Sequence, residues 1–312
     1  MELELRSGRA YHSNVLALNT ATNCLKIVVR DFRPKTVYLP AYLCDVLLKA
    51  FDVGEVEIRH YSINEEFEPE LKQGFSLGES DIFLYVNYFG LNAKNVENLC
   101  ARFHANLVVD NVQAFFCKPL KNLATFYSLR KFFGVPDGAL LRYSLGRQYD
   151  LERDISTDRL RHLTKRIELG PEAGYNDFIA NERRLAESQP KWMSSLTSRI
   201  MNAIDYEFVM DRRNQNYRVL HQALKSRNML PALPDEPHAP LCYPFLIEDG
   251  NGLREYLNRN RIYTATYWPK VISLENLNEF EVFLRDNLVC LPIDQRYDIE
   301  DMQLILKLIA QF

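Results

Sequence analysis

Lys131 stands in the stretch TFYSLRKFFGVPDGALL, residues 125–141, in an unusual setting. An apolar run stops at Ser128. Arg130 and Lys131 then meet Phe132 and Phe133, and a turn rich in Gly134, Pro136 and Gly138 follows. An apolar setting disfavours the ammonium form of lysine and leaves a neutral amine, which can act as a base or condense with a carbonyl. Two glycines let a backbone turn sharply beside a ligand. Elsewhere Asp110 closes the apolar run NLVV and is followed by NVQA, with Gln113 three positions on. Asn87 closes FLYV, and LNTAT at 18–22 precedes an apolar helical stripe.

Taken singly, these residues have plain readings. Asp110 serves as a helix N-cap, Asn19 or Thr20 caps the next helix, and Lys131 is a surface charge. Taken together they form the set that pyridoxal phosphate requires. The free amides and hydroxyl of a helix start accept a phosphate. A carboxylate beside the pyridine nitrogen keeps it protonated, shifting its pKa by roughly 1–3 units. A lysine amine meets the aldehyde as a Schiff base, and the protonated ring acts as the electron sink.

These residues need a frame, and the first half of the chain supplies one. Helical stripes are expected at 20–32, 42–51 and 93–104, and strands at 36–40, 56–63, 81–90 and 105–110. Such alternation implies a mostly parallel sheet between helices. Ligands in that class lie at the carboxyl ends of the strands, where these polar clusters fall. Residues 151–230 are helical and charged, and RLRHLTKR at 159–166 reads as a solvated helix face. A proline-rich connector at 230–240 leads to a strand, a helix, an apolar strand-turn region (IYTATYWP), a helix near 278–286, a strand and a closing helix. The expected class is α/β, with a large domain at 1–205 and a small α+β domain at 206–312.

The ordered set resembles the sugar-nucleotide aminotransferases of the DegT/StrS group, fold-type I pyridoxal-phosphate enzymes. The resemblance runs almost end to end. LNTATNCLKIVV is similar to that family's phosphate loop and first helix, and VYLPAYLCDVLLKAF to its strand-proline-aromatic segment. YVNYFG, LVVDNVQAF and FYSLRKFFGVPDGALL are similar to its H-x-Y-G strand end, its E-D-x-A-Q-A motif and its Schiff-base turn. GYNDF at 174–178 is similar to G-Y-N-x-R.

The resemblance implies Lys131 as the Schiff-base lysine and Asp110 as partner of the pyridine nitrogen. Gln113, one helical turn along, comes near the ring oxygen. Thr20, Ala21 and Ser128 hold the phosphate, and Asn87 lies at the cofactor. Tyr42 or Cys44 covers the ring. Asn176 reaches the coenzyme phosphate of a neighbouring subunit, which implies a homodimer. The implied reaction passes an amino group from glutamate, through pyridoxamine phosphate, to a nucleotide-linked keto sugar in cell-surface polysaccharide or deoxysugar synthesis. Departures are visible. The spacing from serine to lysine is S-L-R-K rather than S-F-H-x-x-K, similar to the S-x-H-K of cysteine desulfurases. GVPDGA replaces G-E-G-G, and the chain is short for the group. A lyase, dehydratase or desulfurase on the same fold, and a non-catalytic sugar-nucleotide-binding homologue, are the alternatives; Cys44 and Cys117 are the cysteines a desulfurase would draw on.

Bulk composition narrows the classes further. With 47% hydrophobic and 25% charged residues among 312, the chain can build a large core. A net charge of -3 gives no footprint for nucleic acid. The six cysteines (Cys24, Cys44, Cys100, Cys117, Cys242, Cys290) form no CxxC pair and read as reduced thiols. Neither they nor the histidines show metal-ligand spacing. No apolar run reaches membrane-spanning length and the amino terminus has no apolar signal core, so a cytoplasmic, non-membrane protein is expected.

Overall fold

The computed structural model describes residues 8, 10–51, 54–143, 147–231, 233–268 and 277–312. The signal-peptide reading at the amino terminus and the last residue of IYTATYWP therefore fall outside the described residues.

The main sheet has seven strands in the order β1-β7-β6-β5-β4-β2-β3. These are β1 (Leu16–Leu18), β2 (Thr36–Pro40), β3 (Glu57–Tyr61), β4 (Asp81–Val86), β5 (Leu107–Asp110), β6 (Ala124–Ser128) and β7 (Ala139–Arg142). β3, β2, β4, β5 and β6 pair in parallel, while β7 runs antiparallel to both β6 and β1. So β1, β2, β4, β5 and β6 all point the same way. Leu18, Pro40, Val86, Asp110 and Ser128 lie at one edge. The β4, β5 and β6 strands are buried on both faces and read as near-continuous apolar runs.

Helix α1 (Ala21–Phe32) begins directly after β1. Thr20 caps it, its hydroxyl oxygen accepting the Asn23 N–H at 3.1 Å. Cys24, Leu25, Ile27 and Val28 bury one face of α1 against the sheet. Helix α2 (Ala93–Phe103) covers the sheet through Val96, Leu99 and Phe103. The helix expected at 42–51 is instead a 3-10 helix, Asp45–Ala50. Tyr42 and Leu43 are fixed in the core ahead of it, which overrides the helical pattern.

Four helices follow the sheet: α3 (Arg161–Leu169), α4 (Tyr175–Ala186), α5 (Ser195–Asn202) and α6 (Tyr206–Leu224). A second core lies between α6, α7 (Gly250–Arg259), α9 (Ile299–Gln311) and the pair β8 (Tyr243–Leu246) and β9 (Leu288–Leu291), which run antiparallel. Helix α8 (Glu279–Asn287) leads into β9 and opens with a capping box between Asn278 and Glu281. These elements lie close to their expected places. The apolar strand-turn region carries no strand among its described residues, only a bridge from Ala265 to Cys290.

A third core sits under the Lys131 turn. Phe115, Phe116, Tyr127, Leu129, Phe132 and Phe133 pack there, with Phe133 edge-on to Phe115 at 4.8 Å. His12 packs at a tilt on Tyr127 at 4.2 Å, and its Nε2 lies 2.6 Å from the Phe115 carbonyl. Burial lowers its pKa to about 4, so it sits there neutral at pH 7.

Candidate active site

Residues from four strand ends converge on one cavity of about 350 Å³ at the carboxyl edge of the sheet. Its wall includes Thr20, Ala21 and Thr22 from the start of α1, Asp110 at the end of β5, Gln113, Ser128 at the end of β6 and Lys131 beyond it. This is within the size range of pockets for small ligands.

Asp110 is buried, and its Oδ1 accepts the Val112 N–H at 2.8 Å. No helix follows it, so the N-cap reading is corrected: the chain passes through turns, held by the Asn111 N–H bond to Phe126. Burial raises the Asp110 pKa to about 6 against the opposing Val112 N–H and the charge of Lys131. A carboxylate so placed calls for a cation. Lys131 is partly buried, with its Nζ 5.0 Å from the centre of the Tyr267 ring. Burial lowers its pKa, although Cys44 and Asp110 pull the other way. Lys131 thus shares the cavity wall with Asp110.

Gln113 is reached through turns and not through a helical turn. Its Oε1 accepts the Phe89 N–H at 2.9 Å, while its Nε2 is buried with no protein partner. Gln113 lines the cavity, and a buried donor of this kind needs an acceptor.

Three predicted residues stand elsewhere. Tyr42 does not line the cavity. It is buried behind it, edge-on to Trp268 at 4.8 Å and stacked on Tyr88. Of the pair left open by the sequence, Cys44 lines the wall and Tyr42 does not. Asn87 also turns away. Its side chain donates to Asn111 Oδ1 at 3.1 Å and accepts the Asn92 N–H at 3.1 Å, so it braces two loops. Asn176 is exposed near the start of α4, outside this chain's own cavity.

The two glycines also serve a different purpose from the one expected. Gly134 is exposed, and Gly138 packs away from the cavity. With φ at +114°, Gly138 has room for no side chain: a Cβ would lie 2.8 Å from Leu129 Cδ1 and 2.9 Å from Thr197 Cγ2. The GVPDGA departure is explained by Asp137. It is fully buried and accepts hydrogen bonds from the Ser194 N–H and the Ser194 and Thr197 hydroxyls at the start of α5. Asn181 of α4 donates to the Pro136 carbonyl at 2.8 Å. Two helices therefore clamp the turn that carries Lys131.

Sequence reasoning missed Trp268, Arg130, Glu182 and Arg183, which also line the cavity. Trp268 is 8% exposed with φ at +53°, a backbone state uncommon for a bulky residue and seen where surroundings impose it. An aromatic pair directly before a proline was the available signal. Glu182 and Arg183 gave none, since they lie in an ordinary charged helix.

No protein-family model matches the chain, and no curated protein matches it in sequence. Solved structures do. A DegT DnrJ EryC1 StrS aminotransferase from Brucella abortus aligns with a TM-score of 0.63 at 15% identity, over 96% of this chain and 85% of that one. The sugar aminotransferase CalS13 from Micromonospora echinospora aligns with a TM-score of 0.66 at 15% identity, over 96% and 87%. NtdA from Bacillus subtilis, solved with bound cofactor PMP, aligns with a TM-score of 0.63 at 14% identity, over 95% and 72%. The chain thus has the fold of the DegT/DnrJ/EryC1/StrS aminotransferases, the fold-type I architecture.

Proposed function

We propose that this protein is a pyridoxal-phosphate-dependent aminotransferase that moves an amino group, supplied by glutamate, onto a nucleotide-linked keto sugar, serving the cell-surface polysaccharide or deoxysugar synthesis implied by its resemblance. One observation carries the reading: Thr20, Ala21, Asp110, Gln113, Ser128 and Lys131 line a single cavity at the carboxyl edge of the sheet. The fold shared with known sugar aminotransferases supports it. We place the division between a large coenzyme-binding domain and a small domain after residue 205, where α6 begins.

The residues fit the coenzyme. The Thr20 hydroxyl, the amides at the start of α1 and the Ser128 hydroxyl suit a phosphate. Gln113 Nε2 is a buried donor that needs an acceptor, and the phenolic oxygen of the ring supplies one. Asp110 is a buried carboxylate whose pKa of about 6 falls again once a protonated nitrogen pairs with it. Cys44 and Trp268 offer a soft and an aromatic cover. When bound, pyridoxal phosphate supplies an aldehyde for amines and an electron sink for the carbanion.

The chain's own residues do the rest. Asp110 stays ionised and holds the ring nitrogen protonated. Lys131, whose pKa burial lowers, takes a proton at Nζ from one carbon and returns it to another. Trp268 and Leu47 give that cavity apolar lining. A desulfurase reading is weaker. Cys44 lines the cavity, but burial raises its pKa, opposite to what a nucleophilic thiol needs. Cys117 is also pushed up, to about 11, and lies outside the cavity wall.

The test is spectroscopic. Glutamate added to the coenzyme-loaded protein is expected to bleach the visible absorbance, and 2-oxoglutarate to restore it. Release of sulfide and alanine from cysteine would instead support the desulfurase reading.

The site is proposed to be completed by a second copy. Ile155, Ile167, Leu169, Tyr175 and Phe178 are exposed on and around α3 and α4, at 79%, 81%, 70%, 61% and 40%. Asn176 lies among them. Large apolar side chains left exposed along this stretch suit an interface between copies. The double substitution I167E/L169E is expected to shift the protein from dimer to monomer in sedimentation and to lower activity through loss of Asn176 from the partner's site. A dimer undisturbed by both charges would place the interface elsewhere.

A further inference from the structure

Arg130 is the permanent cation beside the anion-ready corner of the cavity, and nothing above gives it a role. Its guanidinium meets Glu182 of α4 with both ends, Nη1 to Oε1 in close contact and Nη2 to Oε2 at 3.4 Å. The pair is only partly exposed, with side chains 21% and 38% accessible. Both residues line the cavity together with Thr20, Ala21 and Ser128.

The surroundings place Arg130 towards the start of α1. Ser188, just past α4, accepts from Asn19 Nδ2 at 3.3 Å and from Asn23 Nδ2 at 3.1 Å, so α4 runs past that helix start. Earlier in α4, Asn181 grips the Lys131 turn through the Pro136 carbonyl. Glu182 is its neighbour and is therefore fixed between the two. Ser128 and Arg130 both reach the cavity, while Leu129 between them is buried in the aromatic core. Lys131 reaches the other way, to the face of Tyr267.

Hydroxyls and amides are neutral donors. A dianionic phosphate buried against them is held more strongly where a donor carries charge, since such hydrogen bonds are roughly twice as strong as neutral ones. Arginine has five N–H groups, so Arg130 can keep Glu182 and still present donors to an anion. We propose that Arg130 is the fixed positive charge of the phosphate end of this site and that Glu182 orients it. The inference rests on the coenzyme reading above and extends it. Arg130 is a binding residue and Glu182 a positioning one. A lysine at 130 would keep the charge but not the forked geometry that serves both partners.

The test compares two ligands on coenzyme-stripped protein. Pyridoxal phosphate and pyridoxal, which lacks the phosphate, are titrated into wild type, R130Q, R130K and E182Q by fluorescence. R130Q is expected to weaken pyridoxal phosphate about 10- to 100-fold, the scale of a charge-assisted hydrogen bond, and to leave pyridoxal unchanged. Stabilisation of the stripped protein by inorganic phosphate, read as a shift in Tm, is expected to disappear in the same variant. R130K and E182Q are expected to weaken pyridoxal phosphate by a few-fold to about tenfold, again sparing pyridoxal, and they carry the test if R130Q does not fold. Equal affinity of wild type and R130Q for pyridoxal phosphate overturns the inference. So does equal weakening of both ligands, which would mark a structural role. If wild-type protein binds neither ligand, the coenzyme reading fails and takes this one with it. If wild type binds both and the variants do not differ, only the role of Arg130 fails.

Discussion

Lys131→Ala is expected to lower transamination about 10²- to 10⁴-fold, the range of a positioned general acid–base, while leaving the fold intact. The side chain points from a buried turn into the cavity, and its neighbours would survive its loss. Phe132 and Phe133 remain packed on Phe115 and Phe116, and Asp137 still anchors the turn on α5. Near-wild-type unfolding with collapsed turnover is the expected pattern. The chemical reason lies in the setting. Burial lowers the pKa of the amine, so more of it is free to take a proton at neutral pH. Addition of a small exogenous amine is expected to return part of the rate, because the turn and cavity are preserved. Full turnover by the alanine variant would remove Lys131 from the mechanism.

Asp110→Asn is expected to have opposite effects on activity and on stability. Activity should fall by at least about 10²-fold, since an amide cannot hold the ring nitrogen protonated. The coenzyme-free protein should become more stable at neutral pH. In the folded chain burial raises the Asp110 pKa to about 6 from 3.8. The folded state therefore prefers the protonated acid. Its cost is absent below about pH 4, where both states bind the proton, grows between pH 4 and 6, and is full above 6. At 1.36 kcal/mol per unit, a shift of roughly two units makes the ionised carboxylate cost up to about 3 kcal/mol. Asparagine still accepts the Val112 N–H and escapes that cost. Urea unfolding of stripped protein at pH 7.5 and pH 4 checks this: the variant's advantage should be present at the first and lost at the second. An advantage equal at both pH values would show that the carboxylate is not strained by burial.

Much of this was legible in the residues, for reasons that can be named. The β4, β5 and β6 strands are buried on both faces, so their sequences are continuous apolar runs closed by a polar residue. That pattern alone places Asp110 and Ser128 at the sheet edge. The cap of α1 was visible because threonine before an apolar stripe has a local cause. What failed was long-range. Tyr42 and Cys44 are two residues apart, yet Tyr42 packs on Trp268, more than 220 positions away, while Cys44 lines the cavity. Asn87 stood at a strand end like Asp110, yet Asn111 and Asn92 claim its side chain. The space that Gly138 saves belongs to Leu129 and Thr197 and not to a ligand. Glu182 reaches the cavity only because Asn19, Asn23 and Pro136 pin α4 in place. Such contacts leave no periodic trace in sequence.

The short S-L-R-K spacing now has a structural setting. Ser128 ends β6, Leu129 enters the aromatic core, and Arg130 and Lys131 part towards Glu182 and Tyr267. Three positions thus suffice to present a hydroxyl, a guanidinium and an amine to one cavity. The most direct test of that arrangement is chemical trapping. Protein incubated with pyridoxal phosphate and reduced with borohydride is digested, and the peptides are mapped by mass spectrometry. The pyridoxyl group is expected on Lys131, once per chain, and to be absent from Lys131→Ala. A chain that takes no label, or that takes it on another lysine, would contradict the central proposal that this cavity holds the coenzyme.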